Sequence, residues 1–127
     1  MQTECRFGDR AVFDERLPTK TWVDALIRRA QVAGASAFIL QRGDGARGDV
    51  LIKVANLQGE ARAYVPRTSM EGARVFVDLA QQNVGPDEAS VDAYLSRAKD
   101  RDSDLWVIEI EDRDARHFLT EPVEETQ

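Results

Sequence analysis

The side chains best equipped for chemistry crowd into one stretch near the C-terminal end. Asp104–Leu119 reads Asp-Leu-Trp-Val-Ile-Glu-Ile-Glu-Asp-Arg-Asp-Ala-Arg-His-Phe-Leu. Glu109 and Glu111 are two apart, so in an extended strand they share one face. Such a carboxylate pair can work as acid and base or hold a hard cation. Acids on a solvent-facing strand also simply discourage edge pairing. Asp112, Arg113 and Arg116 follow, and forked guanidinium groups suit a carboxylate or phosphate. His117 is the only imidazole, and its charge can respond to pH beside acids.

Other chemistries fit less well. One cysteine, Cys5, and one histidine do not make the usual zinc site, so no metal and no cofactor is expected. A Ser–His–acid triad would draw on Ser36, Ser69, Ser90, Ser96 or Ser103, but none lies in a Gly-x-Ser-x-Gly elbow. Gly43-x-Gly45-x-x-Gly48 matches the dinucleotide fingerprint in form only. That fingerprint needs a helix after it, whereas Val50, Ile52 and Val54 alternate as a strand does. The stretch reads as a flexible hairpin loop, and Arg42-Gly43-Asp44 as part of its turn.

The elements that must position these residues follow from periodicity. Trp22, Ala25, Leu26, Ala30 and Ala33 recur at helical spacing after Pro18, with Thr19 or Thr21 as cap and Gly34 as stop. Arg29 projects from the apolar side of that helix. Either it snorkels along the core edge, or it is a partly buried cation that needs a carboxylate, with Glu109 or Glu111 as candidates. Ser36–Arg42, Asp49–Leu57 and Ala61–Val65 read as strands, the third stopped by Pro66. Arg74–Ala80 reads as a fourth strand, with a short helix as the alternative. Gly85-Pro86-Asp87-Glu88 opens a second helix, with Val91, Tyr94, Leu95 and Ala98 as its buried stripe. Asp104–Glu111 is the strongest strand. Asp112–Ala115 turns it into a return, Arg116–Leu119. Trp22 and Trp106 fall in core phase.

The bulk numbers bound the rest. The 127 residues suit one domain: an N-terminal arm over residues 1–16, a domain over 17–120 and a frayed acidic tail over 121–127. Hydrophobic residues at 43% allow one ordinary core. A net charge of −6 with no dense basic block argues against nucleic acid and anionic membranes as partners. A lone cysteine and the lack of an apolar leader predict a cytoplasmic protein. Short connections imply antiparallel neighbours. The expected fold is α+β, a single antiparallel sheet of about five or six strands with two helices packed on one face.

Leu17-Pro18, the Trp22–Arg29 run, Arg42-Gly43-Asp44, Asp92–Leu95 and above all Asp104–Arg113 with Arg116-His117-Phe118 resemble a family of small bacterial proteins. That family is catalogued as a domain of unknown function, number 1491 in its series, and is typical of alphaproteobacteria. The resemblance covers residues 16–120 and implies no activity. The residues themselves favour a non-catalytic binding module for a protein or a small anionic ligand. Its expected surface is Glu111, Asp112, Arg113, Arg116 and His117, supported by Arg29. The second reading is a small hydrolase-like enzyme with Glu109 or Glu111 as base and His117 as its acid–base partner. The third is a homo-oligomer built on an exposed sheet edge.

Overall fold

In a computed structural model, which describes residues 17–124, helix α1 (Thr19–Val32) is followed by strands β1 (Ser36–Gln41), β2 (Val50–Ala55), β3 (Ala61–Thr68) and β4 (Arg74–Asp78). A 3-10 turn (Leu79–Gln82), helix α2 (Glu88–Arg101), strand β5 (Trp106–Glu111) and the short β6 (Val123–Glu124) complete the chain. The arm expected over 1–16 and the last residues, 125–127, lie outside the described residues.

The six strands form one mixed sheet in the order β1-β5-β2-β3-β4-β6. β5 enters between β1 and β2, antiparallel to the first and parallel to the second. β4 and β6 are also parallel. The expectation of a purely antiparallel sheet therefore fails, and so does the hairpin between β1 and β2. A short loop joined those two strands on paper, but Trp106–Glu111 fills the space between them.

All six residues of β2 are buried. Val50, Ile52 and Val54 join one core with Val23 and Leu26 of α1, while Leu51 and Ala55 join another with Val91, Leu95 and Ala98 of α2. Successive strand side chains point to opposite faces. The two helices therefore cover opposite faces of the sheet, which corrects the expectation of a single helical face. Burying each such Val, Leu or Ile stabilises the fold by about 1.5–3 kcal/mol.

The loop after β1 is a structural part, not a free turn. Gly45 and Ala46 accept hydrogen bonds from the Lys20 and Thr19 amides at 2.9 and 3.4 Å. Backbone carbonyls thus do what the expected threonine cap does not. Thr19 Oγ1 donates instead to the Gly48 carbonyl at 2.9 Å. The Asp44 amide donates to the Asp104 carbonyl at 3.0 Å, and Trp106 Nε1 to the Asp44 carbonyl at 2.9 Å. At the second helix the expectation of an acidic start holds, with Asp87 as cap accepting from the Ser90 amide.

Four local expectations change. β3 continues through Pro66 to Thr68. Pairing with β2 has ended at Tyr64, so the missing proline N–H removes no ladder bond. Arg74–Ala80 is strand only to Asp78, whose carboxylate then caps the 3-10 turn. Residues 112–122 form no return strand. They cross β2, β3 and β4 as a strap beside α1, with Ala115, Phe118 and Leu119 against its core. Val123–Glu124, expected to fray, pairs with β4.

A Cβ added at Gly48 would overlap the Asp104 carbonyl oxygen, whereas one at Gly45 meets its nearest neighbour, Lys20 Cβ, at 3.8 Å. Gly48→Ala is expected to lose about 1–3 kcal/mol of stability, and Gly45→Ala much less. Urea denaturation of both variants checks this; equal midpoints would contradict the packing of the loop.

Candidate functional site

A groove of about 900 Å³ opens at the rim of the α1 face, between α1, the β3–β4 turn and the end of the strap. Trp22, Ala25 and Arg29 line it from one stripe of the helix, since residues three and four apart share a face. Arg67 and Arg74 come from the two arms of the β3–β4 turn, and Glu121 from the strap.

The Trp22 indole stacks on Phe76 with centroids 5.6 Å apart and planes 16° from parallel. The Arg74 guanidinium lies 5.6 Å from both ring centroids, a cation–π arrangement. Trp22 Nε1 donates to Glu121 at 2.7 Å, and Arg67 pairs with Glu124. Arg29 Nε donates to the Phe118 carbonyl at 3.0 Å. Its Nη2 is buried and meets no acceptor among the described residues. A buried cationic donor without an acceptor is costly. The carboxylate sought for Arg29 in Glu109 or Glu111 is not there, because both acids stand on the opposite face of the sheet.

That face holds a second polar cluster. Lys53, with 4% of its side chain exposed, lies 2.6 Å from Glu88, 2.7 Å from Asp92 and 3.6 Å from Glu109. Glu88 and Asp92 are one turn apart on α2, and Glu109 is registered with Lys53 across β5. Burial pulls the Lys53 ammonium down, but hydrogen bonds to Asp92 and Glu88 and the charge of Glu109 outweigh it and hold it above its usual range. Burial pushes the Glu109 carboxyl up against the pull of Lys53, and a hydrogen bond and charge from Glu111 add to the rise. The lysine is thus kept protonated, as an ion-pair partner rather than a nucleophile.

The remaining predicted residues are scattered. Asp112 is buried, and Arg116 grips it with Nε and Nη2 at 2.9 and 2.8 Å and with its amide at 2.9 Å. This fork holds the Asp112 carboxyl down to about 2. It locks the start of the strap and is satisfied as it stands. Arg113 is exposed on the turn. His117 lies edge-on to Tyr64 at 5.3 Å, and its Nδ1 accepts from the Leu119 amide at 2.9 Å. Tyr64 belongs to the α1-side core, so His117 and Glu109 are separated by the sheet and share no reacting centre. Among the described residues, no group of three or more His, Cys, Asp or Glu is placed to hold a metal. No described helix is long and apolar enough to cross a membrane.

Sequence reasoning singled out Arg29 but missed Trp22, Arg67 and Arg74 as groove residues, and Lys53 altogether. A lone lysine inside the apolar run Val50–Ala55 was the available signal.

A model of a family described as protein of unknown function (DUF1491) matches residues 17–120. The crystal structure of a DUF1491 family protein from Caulobacter crescentus is 47% identical, covers 85% of this chain and 99% of its own, and superposes with a TM-score of 0.78. The solution structure of a protein from A. tumefaciens is 30% identical over 84% of this chain and 94% of its own, with a TM-score of 0.67. No curated protein matches.

Two measurements check the polar clusters. Lys53→Ala strands three carboxylates and is expected to lose about 3–5 kcal/mol in urea denaturation, part of which Lys53→Ala with Glu109→Gln recovers. No recovery would mean that Lys53 acts through packing alone. Asp112 has a folded pKa of about 2 against 3.8 for the free side chain. Its contribution is therefore present above pH 3.8 and is lost as pH falls towards 2. Arg116→Ala is expected to flatten the stability loss across that window; an unchanged acid limb would refute the fork's role.

Proposed function

The chain belongs to the DUF1491 family, and on that premise we propose a non-catalytic binding module that takes a small anionic ligand in the arginine-lined groove. The buried Nη2 of Arg29, without an acceptor among the described residues, carries this reading. A small shift of the guanidinium towards the groove, which Arg29 lines, would let a carboxylate or phosphate oxygen complete its hydrogen bonding. Arg74, held over Trp22 and Phe76, supplies a second cation at the rim. Thr68 and Thr120 line the same groove and add hydroxyl donors. Arg29, Arg67 and Arg74 outnumber Asp49 and Glu121 in the lining, which favours an anion at this spot on an otherwise acidic chain.

Inorganic phosphate and succinate serve as probes, read by tryptophan fluorescence and thermal melting. One or both are expected to bind saturably, to raise the melting midpoint and to weaken as sodium chloride rises. Arg29→Met should melt at or above the wild-type midpoint, since it removes an unsatisfied buried cation, and should lose the anion response. Arg74→Glu should weaken binding about tenfold. If neither probe shifts the wild-type protein, or if Arg29→Met responds as wild type does, the reading is wrong.

A further inference from the structure

The opposite end of the sheet presents a different surface. β1 is the outermost strand there, paired with β5 on one side only among the described residues. Isolated edge strands are usually guarded by charge or proline. Ser36–Gln41 reads Ser-Ala-Phe-Ile-Leu-Gln and has neither. Phe38 and Leu40 are 47% and 41% exposed. Helix α2 packs on β2 and β3 and leaves these side chains open.

Next to this apolar strip the charge is one-sided. Phe38 is registered with Glu109, and Ser36 with Glu111. Lys53 is already shared by Glu88, Asp92 and Glu109. Glu111 stands against Glu109, whose carboxyl is pushed up by burial, pulled down by Lys53 and pushed up again by the hydrogen bond and charge of Glu111.

We infer that the open edge of β1 takes up an extended segment of a basic protein partner, with a Lys or Arg and two apolar residues at successive alternate positions, so that all three share one face. The backbone of that segment extends the sheet by one strand. Apolar side chains cover Phe38 and Leu40. A basic side chain opposite Ser36 reaches Glu111 over the small serine, a span of two strand spacings or about 10 Å. A second copy of this chain is the poorer occupant. Its own β1 carries no cation, and pairing would draw two acidic patches together on chains of net charge −6. The inference is independent of the anion groove, which lies at the other end of the sheet.

The probes are two eight-residue peptides: a Val–Lys peptide, Thr-Lys-Thr-Val-Thr-Val-Thr-Thr, which sets Lys opposite Ser36 and Val opposite Phe38 and Leu40, and a Val–Glu peptide with Glu in place of that Lys. Binding is followed by calorimetry and by amide NMR shifts. The Val–Lys peptide is expected to bind at least about tenfold tighter than the Val–Glu peptide and to shift the amides of Ser36–Gln41. Glu111→Gln should weaken it about threefold, with the thermal midpoint unchanged. Phe38→Lys should abolish it. Equal binding of the two peptides, no binding of either, shifts confined to residues outside β1, or wild-type affinity in both variants would overturn the inference. So would light scattering that shows a dimer lost in Phe38→Lys, because a second copy would then hold the edge.

Discussion

The architecture depends on the burial of β2 on both of its faces. A strand with no solvent side must be covered twice, so the chain supplies α1 for Val50, Ile52 and Val54 and α2 for Leu51 and Ala55. Lys53 is the one charged residue in that strand. Desolvating its ammonium would be costly alone, and the acids from α2 and β5 offset that cost. The same ion pairs tie the first turns of α2 to the sheet at a fixed place. Lateral burial has a further consequence. β2 needs a neighbour on each side, and β5 provides the second one by entering between β1 and β2.

This explains which parts of the fold were legible. Both helices stood out, because a stripe at 3.6 spacing survives any tertiary arrangement. Strand positions were legible for the same local reason. Strand order was not, since Arg42–Asp49 has the length of a hairpin loop and nothing local announces that β5 will intervene. A signal for helices on both faces did exist. Leu105–Ile108 and Val50–Ile52 are continuous apolar runs rather than strict alternations, which is the pattern of a strand buried on both sides. The apolar pair Phe118-Leu119 suggested a returning strand. Ala115 and Phe118 instead adopt positive φ values of 57° and 61°, which no strand tolerates, and the segment crosses the sheet as a strap.

The candidate site was legible in one residue. Helical phasing placed Arg29 on the apolar side of α1, and the structure keeps it there. Its surroundings were not legible, because the acids proposed as partners are assigned to a face only once the sheet is assembled. Arg67 and Arg74 are close to Arg29 only through the β3–β4 turn, a contact of long sequence separation. Fork-forming residues such as Asp112 and Arg116 carried the right chemistry for recognition. They spend it on each other, which fixes the corner where the strap leaves β5.

Two unfavourable features meet where the strap crosses α1. Phe118 holds a left-handed backbone, a conformation that costs a non-glycine residue about 1–2 kcal/mol. Arg29 donates to the carbonyl of that same residue while its Nη2 goes without an acceptor among the described residues. Packing alone would be served as well by a methionine at position 29 and a relaxed turn at 118. Strain and a partly unsatisfied cation side by side, at the rim of an open groove, are the features that the proposed anion site would account for. The Lys53 cluster is the useful contrast. Its lysine is more deeply buried than Arg29, yet its ammonium is matched by acids from two elements, and nothing there calls for a ligand.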